Sequence, residues 1–157
     1  MIVLIVAMDR NNLIGSQTGH FGMPWHNKED LQHFRKTTLN HAILMGSTTF
    51  AAMKRPLKDR RNMVLTSKEI DIPGVEVIHD LGAIVDQYRN SIDTLYVCGG
   101  ASVYCQTMDF ADKILVSRIP GDYQGETHFP EIDLEKFVLE STTDFETFKL
   151  ETYVRLK

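Results

Sequence analysis

Residues 42–50 read AILMGSTTF, and residues 95–104 read LYVCGGASVY. Each stretch is an apolar run, then a glycine turn at Gly46 or at Gly99-Gly100, then residues suited to open a helix. The free N–H groups and the positive dipole end of a helix start favour phosphate. GGASVY is not the G-x-G-x-x-G pattern, however, and a glycine pair after a strand is more often only a tight turn. The two stretches predict strand, turn and helix units and leave phosphate binding open.

Apolar runs with a strand-like period recur along the rest of the chain. The early runs are almost wholly apolar, as expected when helices cover both faces of a mainly parallel sheet. The last two runs alternate apolar and polar residues and lie close together, which indicates an antiparallel hairpin. The sequence predicts an α/β fold: a central eight-stranded, mainly parallel sheet with an antiparallel C-terminal edge hairpin and flanking helices. The predicted strands are residues 2–8, 42–46, 61–66, 75–79, 94–98, 113–119, 137–144 and 148–156.

Helical spacing is clearest in the stretch that follows Asp80, a residue type that makes a good N-cap. The apolar side chains there recur at the i, i+3, i+4 and i+7 positions of one helix face. They are Leu81, Ile84, Val85 and Tyr88. The pattern predicts an amphipathic helix, and a shorter helix is expected after Gly99-Gly100.

Composition is that of an ordinary globular protein. The chain has 157 residues, 43% hydrophobic and 24% charged, which predicts one domain over residues 1–157.

No apolar run reaches the roughly 18 to 20 residues of a membrane span, and charge at Asp9 and Arg10 comes too early for a signal peptide. Cys98 and Cys105 have neither metal-ligand spacing nor a disulfide pattern, so a cytoplasmic setting without metal is expected. A net charge of −4 argues against nucleic acid as the main partner.

A cationic segment, residues 54–68, departs from this acidic average. It contains a single acid, Asp59, among six basic residues: Lys54, Arg55, Lys58, Arg60, Arg61 and Lys68. One interpretation is a solvated turn, which is the usual meaning of such a run. The other is a receptor for small anions such as phosphates or carboxylates. Together with the two glycine turns, the segment suggests a ligand with several phosphates that lies across the carboxyl ends of the strands.

Residues 23–30, MPWHNKED, place the chain's only tryptophan, Trp25, in a loop shortly before an acid. Asn27 is suited to cap a helix whose third residue is Asp30, and Phe34 follows four residues later on the same side. His33 falls mainly on the opposite side of this helix, with the charged residues. Asp30 is interpreted either as an acid that complements the helix dipole or as a carboxylate at an apolar surface. In the second case it needs a cationic or amide-like ligand edge, because desolvation of an unpaired charge is costly.

With these motifs in view, the sequence closely resembles the dihydrofolate reductase family of the bacterial type. The resemblance runs nearly end to end, in family order and at near-family spacing. It implies reduction of 7,8-dihydrofolate to tetrahydrofolate with NADPH, with hydride transfer to pterin C6 and protonation of N5, in support of one-carbon metabolism and thymidylate, purine and amino-acid synthesis. It also implies a monomer that binds antifolates and does not bind a membrane. The matching motifs are LIVAMDRNNLIG, MPWHNKEDLQHF, ILMGSTTF, RPLKDRRNMVLTS, YVCGGASVY and GETHFP.

The resemblance implies roles at the substrate. Asp30 matches the acid that binds the pterin 2-amino group and N3, and Ser117 replaces the usual threonine that supports it. Trp25 and Met23 are expected beside the acid, where the indole orders and excludes water. Arg60 matches the arginine that clamps the glutamate α-carboxylate, with Arg55 nearby. The expected lining of the pterin and benzoyl pocket is Ile5, Ala7, Leu31, Phe34, Met53, Leu57 and Cys98, with the Ile5 and Cys98 carbonyls facing the pterin edge.

Further positions are implied for the cofactor. Ala7 and Ile14 are expected at nicotinamide, and Gly46, Thr48 and Thr49 at the pyrophosphate. The second phosphate turn corresponds to Gly99, Gly100, Ala101, Ser102, Val103 and Tyr104, and the resemblance implies a cis Gly99-Gly100 peptide. The adenosine 2′-phosphate is expected at Thr66, Ser67 and Lys68.

The chain departs from the family pattern at four places. The loop GSQTGHFGMPW is about three residues longer than in many bacterial relatives, which predicts altered closure over nicotinamide. Ser47 replaces a customary arginine, Ala101 stands where a third glycine is common, and LKD precedes Arg60 in place of a Pro-Gly or Pro-Asn turn.

Two other classes of protein share parts of this pattern. The reductase domain of riboflavin biosynthesis has the same architecture but is not expected to combine MPW, Asp30 and Arg60. A nucleotide-binding module without catalysis would be indicated by loss of Asp30 or of a glycine turn, and neither is lost.

Overall fold

A computed structural model describes residues 1–15 and 23–157. Its strands are β1 Ile2–Met8, β2 Leu13–Gly15, β3 Ala42–Gly46, β4 Arg61–Leu65, β5 Val75–Ile78, β6 Leu95–Val97, β7 Lys113–Arg118, β8 Thr127–His128, β9 Phe137–Asp144 and β10 Lys149–Arg155. Eight of these strands form one sheet in the order β5-β4-β3-β6-β1-β7-β10-β9. The pairs from β5 through β7 are parallel, and β10 pairs antiparallel with both β7 and β9. The predicted parallel sheet with an antiparallel edge hairpin is confirmed.

The sequence-based strands differ from the observed ones in two respects. Five predicted strands extend one or two residues past the observed ends, as for 61–66 against Arg61–Leu65. A separate two-stranded sheet of β2 and β8 was not predicted. These strands have three and two residues, too few to display the alternation by which a strand is recognised.

Both faces of the sheet are covered, which explains the continuous apolar runs. In β3, Leu44 belongs to a large buried cluster that helices α3 (Leu81–Tyr88) and α4 (Ala101–Thr107) complete. Its neighbours Ile43 and Met45 belong to a second buried cluster with Phe50 of α2 (Ser47–Met53). Because successive strand residues point to opposite faces, an apolar side chain is required at every position. Each buried side chain of this size contributes roughly 1.5–3 kcal/mol of hydrophobic stabilisation.

The helices begin where their caps were predicted. Asn27 accepts a 2.9 Å hydrogen bond from the Asp30 N–H, and Asp80 accepts one of 3.2 Å from the Ala83 N–H. Gly46 and Gly100 precede helices without a side-chain cap, so the N–H groups of those first turns are left for other partners. The helices are α1 Lys28–Thr38, α2 Ser47–Met53, α3 Leu81–Tyr88 and α4 Ala101–Thr107, followed by a 3₁₀ turn Met108–Phe110.

Among these described helices, none has the length and apolar character that a bilayer crossing requires.

Candidate active site

A cleft of about 960 Å³ opens where the carboxyl ends of β1, β3 and β6 meet α1. These three strands are neighbours in the sheet, so the residues that follow them come together. Most of the predicted site residues line this cleft. They are Ile5, Ala7, Ile14, Met23, Asp30, Leu31, Phe34, Gly46, Thr48, Thr49, Met53, Arg55, Leu57, Thr66, Ser67, Cys98, Gly99, Gly100, Ala101, Ser102, Val103, Tyr104 and Ser117.

Asp30 supplies a buried carboxyl group in this cleft. The residue is 7% exposed although it lies in the first turn of α1, where an acid would ordinarily be solvated. Burial raises the pKa of Asp30, and the hydrogen bond donated by the Ser117 hydroxyl opposes that rise. Ser117 lies in β7 and is 2% exposed, so the donor is held by the sheet and shielded from water. The site therefore contains an acid whose proton is retained to higher pH than usual.

Trp25 packs in a buried cluster that adjoins the cleft, since Ala7 and Met23 belong to both. It is buried with Ile119 and Phe148, and its ring meets Tyr123 edge to face at 5.3 Å between centroids. It is not among the residues that line the cleft, although Met23 is. The indole Nε1 is buried without a hydrogen-bond partner in the described structure, which makes it a ready donor to an ordered water.

The two glycine turns lie against each other at the end of the sheet. The Gly46 N–H donates a 2.9 Å hydrogen bond to the Gly99 carbonyl. The Gly99-Gly100 peptide is cis, as the resemblance implied, and Gly99 has φ +112°. A Cβ on Gly100 would lie 3.3 Å from the Thr49 hydroxyl, and one on Gly46 3.1 Å from Val103. The packing thus leaves little room for a Cβ at Gly46 or Gly100, and it brings two uncapped helix starts to one side of the cleft.

This paired turn fits a ligand that carries phosphate. The first turns of α2 and α4 offer N–H groups without side-chain caps, and the Thr48, Thr49 and Ser102 side chains lie beside them in the cleft. Such an arrangement satisfies anionic oxygens by hydrogen bonding and by the helix dipoles.

Arg60 does not line the cleft, in contrast to Arg55. Its guanidinium donates to the backbone carbonyls of Lys58 and Arg35 and, at 3.2 Å, to the Thr38 hydroxyl. These bonds hold the side chain across the end of α1. A guanidinium has five N–H groups, so two remain for a further acceptor.

The residues expected at the 2′-phosphate are only partly brought together. Thr66 and Ser67 line the cleft, whereas Lys68 is exposed and does not. His79, which sequence analysis missed, lines the same region, and its Nδ1 is 2.7 Å from the Thr66 carbonyl. It also contacts Glu69 at 3.2 Å. No spacing rule connects residues 66 and 79, which meet because β4 and β5 are paired.

His33 is a second residue that sequence analysis missed, because helical spacing placed it mainly with the solvated side of α1. It lines the cleft, and its ring lies 5.8 Å from both Phe145 and Phe148. Its Nε2 is buried without a partner in the described structure. Burial lowers the pKa of His33, so the ring is neutral at physiological pH.

The prediction of altered closure by the longer loop falls largely on residues 16–22, which lie outside the described structure.

Known proteins that resemble this chain are dihydrofolate reductases. The family model for dihydrofolate reductase matches residues 1–155. The chain is 36% identical over 143 residues to dihydrofolate reductase of Bacillus subtilis (strain 168), an alignment that covers 90% of this chain and 83% of that protein. It is 36% identical over 160 residues to dihydrofolate reductase of Mycoplasma genitalium, covering 98% of this chain and 97% of that protein. Among solved structures, dihydrofolate reductase from Enterococcus faecalis complexed with NADP(H) and RAB-propyl superposes with TM-score 0.90 at 29% identity, covering 100% of this chain and 97% of that one.

Proposed function

The chain belongs to the dihydrofolate reductase family, and on this premise we propose that it reduces 7,8-dihydrofolate to 5,6,7,8-tetrahydrofolate. It is an oxidoreductase whose cofactor is NADPH. When bound, NADPH supplies the hydride that pterin C6 receives, while N5 gains a proton. The observation that carries the proposal is the buried Asp30 carboxyl with its Ser117 donor, in one cleft with the paired glycine turns.

We assign Asp30 to the pterin. A buried carboxylate next to an amidine-like edge accepts hydrogen bonds from the ring N3–H and the 2-amino group, which compensates its lost hydration. The carboxyl holds its proton to higher pH than usual, so it favours protonated substrate in the neutral range. Titration of the acid and the substrate is coupled, and the apparent pKa belongs to the pair.

We assign the apolar part of the cleft to the pterin and benzoyl rings. The Ile5 carbonyl accepts a 2.7 Å hydrogen bond from Tyr104 and keeps a second lone pair for the pterin edge. Leu31 and Phe34 follow Asp30 on α1, and Met53 and Leu57 face them from the segment after β3. This apolar lining excludes water from the reacting atoms and leaves the carboxyl group to orient the ring.

We assign Arg60 to the α-carboxylate of the substrate tail. Three backbone and side-chain acceptors already fix the guanidinium. The two remaining N–H groups are available to one carboxylate, and little further side-chain entropy is lost on binding. Arg55 lines the cleft itself and adds positive charge on the approach to it.

We assign the paired glycine turns to the cofactor phosphates. Thr48 and Thr49 lie in the first turn of α2, and Ala101 and Ser102 in the first turn of α4, so the N–H groups of two helix starts without side-chain caps lie at the cleft. Ala7 and Ile14 provide apolar contacts at the nicotinamide end, and Gly46 and residues 99–104 complete the surface. Thr66, Ser67 and the exposed Lys68 are assigned to the 2′-phosphate.

Met23 and Trp25 are assigned to water exclusion at the acid. Met23 lines the cleft directly. Trp25 packs behind this wall on Ile119 and Phe148, and its unpartnered Nε1 is suited to fix a water near the carboxyl group. This is a supporting role, since the indole does not reach the cleft surface.

We further propose a single catalytic domain over residues 1–157 that works as a cytoplasmic monomer, supplies one-carbon metabolism and binds antifolates. Both cysteines are free thiols, as the reducing cytoplasm requires.

The test is the loss of NADPH absorbance with dihydrofolate, measured against NADPH alone. Substrate-dependent oxidation is expected for the wild type. Asp30→Asn should lower the rate of hydride transfer by roughly 100- to 10,000-fold at neutral pH. Asp86→Asn makes the same change at an exposed position of α3 and should leave the rate unchanged. Near-wild-type rates in a folded Asp30→Asn variant would refute the role given to the acid.

A further inference from the structure

The turn between β9 and β10 holds the first turn of α1 mainly through Thr147, with a longer 3.4 Å hydrogen bond from the Glu146 N–H to the Glu29 carboxylate. Its backbone N–H donates a 2.8 Å hydrogen bond to the Glu29 carboxylate, and its hydroxyl lies 2.6 Å from the same oxygen. Its carbonyl accepts a 3.2 Å hydrogen bond from the Asn27 side chain. Residues more than a hundred positions apart are thus joined at the point where α1 begins.

The Thr147 hydroxyl has only one hydrogen to donate. It lies 2.6 Å from Glu29 and 3.1 Å from the Asn27 side-chain oxygen. The Asn27 oxygen already accepts the Asp30 N–H, and a carboxylate is the stronger acceptor. The hydroxyl therefore donates to Glu29, the residue directly before Asp30.

Aromatic contacts of the same turn reach α1 on the other side of Asp30. Phe145 and Phe148 are stacked at 4.4 Å between ring centroids, and both lie against His33. The turn thus contacts α1 immediately before Asp30 and again one helical turn later.

The hydrogen-bond donor to Asp30, Ser117, is held in place by the same hairpin. Ser117 of β7 is paired with Leu150 of β10, three residues after Thr147. Both the helix that carries the carboxyl group and the strand that carries its donor are therefore fixed relative to one short turn.

Resting on the proposed function, we propose that Thr147 and Glu29 form a clamp that positions Asp30 for proton assistance. The clamp holds α1 at the distance at which Asp30 meets Ser117 and the substrate edge. Hydrogen bonds from Thr147 lower the pKa of Glu29, so the carboxylate is ionised throughout the neutral range and the clamp persists there. Thr147 and Glu29 are positioning residues, since neither lines the cleft.

The alternative is that the turn only contributes to stability. The two roles differ in what a loosened clamp does to the reaction. A carboxyl group that moves away from Ser117 loses the bond that lowers its pKa, so the pH profile of hydride transfer moves to higher pH. A loss of stability alone leaves that profile in place.

The experiment compares three variants by single-turnover hydride transfer between about pH 5 and 9, a span that brackets groups perturbed at such sites. Thr147→Val removes the hydroxyl and keeps the shape, Thr147→Ser restores the hydroxyl, and Thr142→Val makes the same change at an exposed position of β9. Thr147→Val should slow the step about tenfold, the order expected for a small misplacement of a reacting group, with its apparent pKa raised and NADPH affinity unchanged. Thr147→Ser and Thr142→Val should match the wild type.

A wild-type rate and pH profile in Thr147→Val would overturn the clamp, whatever the change in melting temperature. Glu29→Gln removes the charge and keeps Thr147, so it tests the same clamp should Thr147→Val not fold, with the same shift expected. An inactive wild type would refute the proposed function instead. The clamp would then be judged by hydrogen exchange of the Leu31 amide, which should quicken in Thr147→Val and stay unchanged in Thr142→Val if the clamp holds α1.

Discussion

The Tyr104 hydroxyl donates a 2.7 Å hydrogen bond to the backbone carbonyl of Ile5, in the buried interior beside the cleft. This bond joins α4 to β1 beside the cleft. Burial raises the pKa of Tyr104 far above its ordinary range, so the hydroxyl remains a neutral donor at every assay pH.

Tyr104→Phe should therefore leave the Ile5 carbonyl without its partner. We expect a loss of about 1–2 kcal/mol in the free energy of unfolding, measured in urea, because a buried acceptor is left unsatisfied. Tyr153→Phe is the control, since that hydroxyl is partly buried and its contact with Glu151 is long, at 3.4 Å. Equal losses of unfolding free energy in the two variants would contradict the larger contribution expected from the Tyr104 hydrogen bond.

The sheet and the helix starts were predictable because they depend on local patterns. Apolar runs marked the strands, and Asn27 and Asp80 marked helices through their own side chains. The placement of Arg60 was not predictable, since it depends on backbone carbonyls of Lys58 and Arg35 that no side-chain pattern records. The family resemblance implied a role for Arg60, but it did not indicate the hydrogen bonds that hold its guanidinium.

Tertiary contacts overrode helical spacing at His33. Its position on α1 predicts a solvated side chain, but Phe145 and Phe148 cover it from the far end of the chain. The contacts that hold Trp25 could not be predicted for a similar reason. The family resemblance implied a place beside Asp30, whereas the packing on Ile119 and Phe148 depends on residues far away in the sequence.

Ser117→Ala tests the donor to the acid. The Ser117 hydroxyl lowers the pKa of Asp30 against the larger effect of burial, so its removal should raise the apparent pKa of the hydride-transfer profile. Ser117→Thr keeps a hydroxyl on a β-branched side chain suited to a strand and should retain the wild-type profile. The measurement is single-turnover NADPH oxidation across pH, and a shift to lower pH in Ser117→Ala would contradict the assignment.

His33→Phe tests the buried, unpartnered ring nitrogen. Replacing it with a hydrocarbon ring against Phe145 and Phe148 should stabilise the protein by about 1 kcal/mol at pH 7, because an unsatisfied polar atom is removed. The pKa of His33 is lowered in the folded state, so the unfolded chain binds its proton first as pH falls below about 6.5. The wild type should thus lose stability relative to the variant on acidification.

Urea unfolding at several pH values measures this difference. His41→Phe is the matched control, because His41 is exposed and already contacts the Tyr96 ring. A difference between His33→Phe and the wild type that shrinks on acidification would show that the buried ring takes up a proton in the folded state.

Asp30→Asn should make the protein more stable while it slows the reaction. Burial raises the pKa of Asp30 above its value in the unfolded chain, so the folded state holds this proton more tightly. Ionisation therefore destabilises the folded state, beginning as pH rises past about 3.9, the ordinary value for aspartate, and reaching its full extent above the folded pKa. Asparagine has no charge to desolvate, and its side-chain oxygen still accepts a hydrogen bond from Ser117.

The free energy of unfolding of Asp30→Asn should exceed that of the wild type by on the order of 1 kcal/mol at pH 7, as is common where a functional group is held against stability. The two values should converge near pH 3. Thermal unfolding across pH measures the difference, with Asp86→Asn, an exposed site, expected to follow the wild type. If the wild type were the more stable of the two at pH 7, partners within the free enzyme would already compensate the charge on Asp30. The carboxylate would then not depend on a ligand for that compensation.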